Sequence, residues 1–194
     1  MEKSRINSDK LKFIDEEKRG KLIHAFKCVF SCAAGLLLAH AKIFGRLSPL
    51  ALAFSAAAVQ PYALAAAVGS LLGYLLSFSG TEGIRYMACV AGTALINFSV
   101  NRLRGEDCVR RTAPVSAALC CASTGMAVLL VEGFTLNGVV GFLSDCILAG
   151  GMTYFFSRSL RLTERKNKSN ALGRHDIICI AVSCCAALTA FARL

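Results

Sequence analysis

Asp145 is the residue in this sequence whose type and position could most directly do chemistry. It falls well inside an apolar window that begins at Leu136, about 14 Å along the axis of a helix. A carboxylate at that depth in a membrane is costly and usually faces a partner or a cavity, which would suit a proton or cation relay. The sequence favours a structural carboxylate instead, hydrogen-bonded to a neighbour such as Asn97 or a backbone carbonyl, because no intramembrane Lys or Arg is an obvious partner.

A second candidate for chemistry is the row His24, Cys28 and Cys32, which recurs every four residues and would lie on one face of a helix. The first and last members would be about 12 Å apart along the axis, so at most two could bind the same ion. A tetrahedral site needs further ligands, and no CxxC or HxxxH supplies them. We therefore predict no metal site, and we interpret the other cysteines within apolar windows as small hydrophobic residues.

Signatures of catalysis are missing from the sequence. It contains no GxxxxGK[ST] loop, no GxSxG elbow and no HExxH, and no group of aspartates outside the apolar windows that could hold divalent ions. We predict no catalytic and no cofactor-binding residue in these 194 residues, and we do not expect them to form an enzyme.

The composition is that of a membrane protein. Hydrophobic residues make up 55% and charged residues 18% of the chain, and the mean hydropathy is +0.56. The apolar windows are continuous runs rich in Ala, Leu and Gly and do not alternate with polar residues, which argues strongly against a β-barrel. The sequence predicts an all-α fold, a polytopic transmembrane helical bundle.

About seven membrane helices are expected from the apolar windows. They cover residues 22–41, 48–60, 61–78, 84–100, 113–131, 136–156 and 177–194. The second window is short and runs almost directly into Pro61, so residues 48–78 form either two full crossings or a re-entrant hairpin.

The basic residues predict the orientation of the bundle. Lys and Arg concentrate in the tail at residues 1–21 and in the segments after the fourth and sixth windows, which seven crossings place on one side. Because such cations mark the cytoplasmic side, the N-terminus is expected in the cytoplasm, with a basic tail at 1–21 and a membrane domain at 22–194. The net charge of +10 is explained by topology and anionic lipid, so the predicted partner is the lipid bilayer and not a nucleic acid.

Small residues in the third window indicate how the helices pack. Ala65, Gly69 and Gly73 recur every four residues, a spacing that lets two helix backbones approach closely. Contact within the chain is the favoured interpretation, and self-association is the alternative.

The segment between the first two windows has a distinctive pattern. It contains Lys42, Gly45, Arg46, Leu47, Ser48 and Pro49, followed by an Ala-rich helix with Ala53 and Phe54. Ser48 is expected to cap this helix and Pro49 to occupy its first position. This pattern resembles the corresponding segment of the stage II sporulation protein E family.

The resemblance implies a larger protein than these residues. In that family a multi-pass membrane region precedes a cytoplasmic serine phosphatase domain that uses Mn or Mg. The phosphatase dephosphorylates the anti-anti-sigma factor, which activates the forespore sigma factor. The family acts at the asymmetric division septum of spore-forming bacteria through contacts with division proteins. No phosphatase domain lies within these residues. The resemblance also implies about ten membrane helices, more than the seven expected here, so the membrane domain is expected to be incomplete at its C-terminal end.

We therefore expect a membrane-anchoring, localisation and oligomerisation region in the cell membrane, with no cofactor of its own. Two alternatives stay open. One is a small transporter component, such as the substrate-binding subunit of a vitamin importer, which resembles the chain in architecture alone. The other is a structural membrane protein without a ligand.

Overall fold

The computed structural model describes residues 2–41, 48–78, 80–165 and 174–191, and their secondary structure is entirely helical. The helical class predicted from the apolar windows is therefore confirmed. Seven helices lie within these ranges: α1 Glu2–His40, α2 Pro49–Ala57, α3 Tyr62–Ser77, α4 Thr81–Arg104, α5 Glu106–Glu132, α6 Leu136–Arg165 and α7 Arg174–Phe191. Helix α1 begins at Glu2, so the basic tail and the first apolar window form one helix.

Four of these helices contain segments long and apolar enough to cross a membrane. The segments are Arg19–His40, Glu82–Arg104, Glu106–Glu132 and Leu136–Leu162. The apolar parts of α3 and α7 are shorter. Helix α2 has 9 residues and is about 14 Å long, roughly half of a hydrocarbon core of about 30 Å. A helical membrane bundle is supported, but α2 does not cross the bilayer as a helix by itself.

Side-chain contacts show that successive helices run in alternating directions. Helices α1 and α3 are parallel, since His24 contacts Tyr62 near one end and Ala39 approaches Gly73 near the other. Helix α2 packs between them and runs antiparallel to both. It starts beside Ala39, near the end of α1, and ends beside Asn97 of α4. Helices α4 to α7 then continue the up-and-down order, and α7 meets α6 through an ion pair between Arg158 and Asp176.

Helix α2 lies at the centre of the bundle. It contacts α1, α3, α4, α5 and α6, and all of its residues except Phe54 are buried. Pro49 occupies its first turn, where the missing N–H costs nothing. The chain becomes extended at Ala58, ahead of Pro61, whose ring disfavours a helical conformation in the preceding residue. The sequence therefore limits α2 to a short apolar segment that packs on all sides.

Gly69 and Gly73 lie where α3 packs against α1. A Cβ atom at Gly69 would overlap the backbone carbonyl of Cys32, and one at Gly73 would lie 2.5 Å from the Cβ of Ala39. A Cβ atom at Gly35 of α1 would lie 2.5 Å from the carbonyl oxygen of Ala66. The predicted spacing thus lies at a contact between two helices of the same chain, with Ala65 half-buried beside it.

Candidate functional site

Asp145 is completely buried and is held by two consecutive residues of α4. The Nη2 atom of Arg85 lies 2.7 Å from its Oδ2 atom, and the side chain of Arg85 is 14% exposed. The hydroxyl of Tyr86 donates to the same carboxylate, at 2.9 Å from Oδ1 and 3.0 Å from Oδ2. A buried carboxylate needs such partners, because an uncompensated charge in a low-dielectric interior is very costly.

These contacts correct the partner expected from the sequence. Asn97 does not reach Asp145, because it donates to the carbonyl oxygen of Ala56 at 3.1 Å and accepts from Ser116 at 3.1 Å. In the sequence, Arg85 lies at the start of the fourth apolar window, where a cation is expected at the membrane interface. In the structure, its guanidinium lies inside the bundle and contacts Asp145. The partner was missed because it lies 60 residues from Asp145 in sequence.

Gly125 of α5 provides the space for this ion pair. A Cβ atom at this position would lie 2.5 Å from the ring of Phe142 and 3.1 Å from Nη2 of Arg85. Its backbone is helical, so glycine is needed here for space and not for a special conformation. Besides Asp145 itself, a glycine in the interior of α5 was a sequence signal that could have pointed to the site.

Tyr86 also connects Asp145 to the start of α2. Its hydroxyl oxygen accepts a hydrogen bond from the backbone N–H of Ser48 at 3.2 Å. Tyr74 of α3 stacks on Tyr86 with ring centroids 5.2 Å apart. The hydroxyl of Tyr74 donates to the carbonyl oxygen of Ser48 and accepts from the N–H of Leu52. The beginning of α2 and the buried carboxylate therefore belong to one hydrogen-bonded network.

The family-like motif is only partly described by the structure. Ser48, Pro49, Ala53 and Phe54 are described, whereas Lys42, Gly45, Arg46 and Leu47 lie outside the described residues. Pro49 begins α2 as expected, but Ser48 does not cap it with its side chain. Instead the Ser48 hydroxyl donates to the carbonyl oxygen of Ala39 at 3.0 Å and joins α2 to α1. Buried tyrosine hydroxyls bond the Ser48 backbone and leave its side chain for this contact.

The thiols and the histidines were the remaining candidates for chemistry. Among the residues that the structure describes, no three His, Cys, Asp or Glu side chains come together as metal ligands. Cys28 Sγ lies 3.8 Å from Nδ1 of His24 on the same helix. Cys89 and Cys121 bring their sulfur atoms to 4.0 Å between α4 and α5, and both thiols are free and buried.

A cavity of about 250 Å³ with both charged and apolar lining residues lies beside the ion pair, between α4, α5 and α6. Its wall includes both ends of the α5–α6 connection, together with Arg85 and Tyr86. Glu82 and Glu132 are also among the residues that line it. This cavity and the adjacent network are the part of the described chain best suited to bind a polar ligand.

Apolar helices of this length around a buried ion pair are the architecture of a polytopic helical membrane domain. A protein-family model described as the SpoIIE N-terminal domain matches residues 2–193. The chain belongs to this family, and the resemblance to stage II sporulation protein E is confirmed. No curated protein and no solved structure matches the chain.

Proposed function

We propose that this chain is the membrane-anchoring, localisation and oligomerisation region of a protein like stage II sporulation protein E. The observation that carries the proposal is the family match over residues 2–193, together with four helices apolar enough to cross a membrane. The SpoIIE N-terminal domain alone is not a catalytic phosphatase domain. Phosphatase activity toward an anti-anti-sigma factor would therefore belong to another part of such a protein, along with its Mn or Mg ions.

The contacts of the buried polar residues support an anchoring role. Arg85 and Asp145 neutralise each other, and the hydroxyls of Tyr74 and Tyr86 bond the backbone around Ser48. Every member of this network holds one helix to another. Such a network fixes the shape of a bundle, which suits a region that carries a surface for division-septum proteins or for a second copy.

Localisation is tested by fusing the whole chain to a fluorescent protein and imaging it in a sporulating bacterium. We expect fluorescence at the asymmetric septum, while an unrelated multi-pass protein with the same tag spreads over the whole membrane. Uniform fluorescence from this chain would reject the localisation role. Energy transfer between copies carrying two different fluorophores tests self-association, and its absence would reject the oligomerisation role.

A small transporter component is the second candidate, and the cavity of about 250 Å³ beside an intramembrane ion pair is the observation that favours it. Under this hypothesis Asp145→Asn abolishes uptake of a small solute. The structure adds a requirement, because the same substitution leaves Arg85 without its partner. Loss of uptake supports transport only if it persists in the double variant Arg85→Gln with Asp145→Asn, in which no unpaired charge remains.

A further inference from the structure

Two thiols meet in the interior between α4 and α5. Sγ of Cys89 lies 4.0 Å from Sγ of Cys121, and both residues are completely buried and free. They are 32 positions apart in the sequence, so their contact depends on how the two helices pack. A distance of 4.0 Å is close to van der Waals contact between sulfur atoms, and it exceeds the length of a disulfide bond by about 2 Å.

The two helices approach each other closely at the level of these thiols. Gly92 follows Cys89 by about one turn of α4, and a Cβ atom at Gly92 would lie 3.3 Å from Sγ of Cys120. The carbonyl oxygen of Cys120, next to Cys121, lies 3.7 Å from Sγ of Cys89. The sulfur of Cys89 therefore reaches the backbone of α5. A disulfide needs such an approach, because its Cα atoms are about 4.4–6.8 Å apart.

A disulfide suits this interior better than a metal ion does. A metal ion binds cysteine as the thiolate, and charged groups are costly in a buried site. Within the part of the chain that the structure describes, no third His, Cys, Asp or Glu side chain completes a metal-binding group with these thiols. A disulfide is uncharged, so its formation does not leave a charge in the interior.

A groove on the outer surface between α4 and α5 brings a small oxidant close to Cys89. The groove has a volume of about 300 Å³, and its lining residues include Ala88, Thr124 and Ala127. Oγ1 of Thr124 lies 2.8 Å from Sγ of Cys89, so the Thr124 side chain lies between the groove and the sulfur. Because Cys89 is buried, a movement of Thr124 is required before an oxidant reaches it.

We propose that Cys89 and Cys121 are an oxidation site, at which hydrogen peroxide links α4 to α5 through a disulfide. The sulfur of Cys89 attacks one peroxide oxygen and the O–O bond breaks, while the thiol proton leaves with the other oxygen as water. The sulfur of Cys121 then attacks the sulfur of the sulfenic acid, and its proton leaves with the hydroxyl group as a second water. Each sulfur loses one electron, and the peroxide gains two.

This site goes beyond the anchoring role, because it makes the stability of a helix pair depend on oxidation. It depends only on the packing of α4 against α5 and not on localisation at a septum. A bond between these helices restricts the unfolded chain, so we expect a higher melting temperature after oxidation. An unchanged melting temperature in a fully linked sample would contradict this stabilisation.

Peptide mapping tests the bond directly. Membranes containing the whole chain are treated with hydrogen peroxide, the remaining thiols are blocked with N-ethylmaleimide in a denaturing detergent, and the protein is digested with trypsin. Trypsin cleaves after Arg102 and Arg111, so the disulfide joins two peptides that separate after reduction. We expect this linked pair from the unsubstituted chain and from Cys120→Ala, and its loss in Cys121→Ala. Recovery of Cys89 as the N-ethylmaleimide adduct would overturn the site, and so would an equal yield of the linked pair from both variants.

Two exposed alanines of α4 provide a matched test of the route. Ala88 lines the groove, whereas Ala91 is also exposed and lies about one turn further along the helix. We expect Ala88→Leu to fill part of the groove and to slow formation of the disulfide several-fold. Ala91→Leu should form it at the rate of the unsubstituted chain. Equal rates in the two variants would overturn entry of the peroxide through the groove.

Discussion

Arg85 and Tyr86 are consecutive residues of α4 that both contact Asp145, yet they contribute differently. Arg85 compensates the charge of the carboxylate, and Tyr86 passes the hydrogen bonding on to the backbone of Ser48. Both side chains are held in the interior, so the loss of one leaves an unpaired group behind. The loss of stability should therefore be larger when one member of the Arg85–Asp145 pair is substituted than when both charges are removed.

Asp145→Asn is expected to lower the melting temperature of the detergent-solubilised protein strongly. It leaves the charge of Arg85 buried without compensation, a loss of about 3–5 kcal/mol for a buried pair. The double variant Arg85→Gln with Asp145→Asn should recover much of the loss, because no unpaired charge remains. As a control, Asp107→Asn removes an acid that is 87% exposed and pairs with Arg161, and it should change little.

Tyr86→Phe is expected to destabilise the protein by about 1–3 kcal/mol, because both the N–H of Ser48 and the carboxylate of Asp145 lose a hydrogen-bond partner. Amide exchange at the start of α2 should become faster in this variant. Tyr154→Phe, at a side chain that is 52% exposed, serves as the control for loss of a hydroxyl. Unchanged exchange at Ser48 and Leu52 would show that Tyr86 does not hold this segment.

At the scale of helices, the bundle depends on how closely α1 and α3 approach each other. Gly35, Gly69 and Gly73 allow backbone contact between them, and α2 is packed against both. The other end of α2 is held by Asn97, whose side chain links the carbonyl oxygen of Ala56 to the hydroxyl of Ser116. A short helix is thus fixed at its start by tyrosines and at its end by an amide.

Gly69→Ala is expected to destabilise the bundle although alanine has the higher helix propensity. The new methyl group would overlap the backbone of Cys32, so α1 and α3 must separate. Gly151→Ala gains the same propensity at an open position and should be neutral or slightly stabilising. The test is to compare the melting temperatures of Gly69→Ala and Gly151→Ala. Equal melting temperatures would contradict the close packing of α1 and α3.

At the scale of the whole molecule, arginines concentrate at one end of the bundle. Arg102 and Arg104 end α4, beside the connection at Gly105. Glu82 and Glu132 lie at the opposite end, beside the connection at Gly133. The concentration of arginines at the first end predicts that this end faces the cytoplasm.

Insertion of an epitope tag at these two connections tests the orientation. Gly105 and Gly133 both have positive φ angles, of 80° and 91°, and a Cβ atom at either would meet open space. In intact protoplasts, a tag at Gly133 should be accessible to antibody and a tag at Gly105 should become accessible only after permeabilisation. The reverse pattern would place the N-terminus outside.

Hydropathy was sufficient to predict the helices but not the contacts between their polar residues. Each apolar window contains a helix, because a continuous apolar run has one satisfactory backbone structure in lipid. The partner of Asp145 was not predictable in this way, since it depends on which faces of α4 and α6 meet. Ser48 illustrates the same limit, because its local pattern predicts a cap whereas distant tyrosines decide its hydrogen bonds.

The shortness of α2 has a consequence for the biosynthesis of the protein. A helix of nine residues is too short to be inserted into the bilayer as an independent transmembrane span, since about 20 residues are needed. Besides Ala39 of α1, which accepts from the Ser48 hydroxyl, the groups that hold α2 include Tyr74, Tyr86 and Asn97, and the carboxylate that holds Tyr86 is on α6. Tyr74, Tyr86, Asn97 and this carboxylate are all synthesised after α2, so this segment reaches its final position only after α6 has been synthesised.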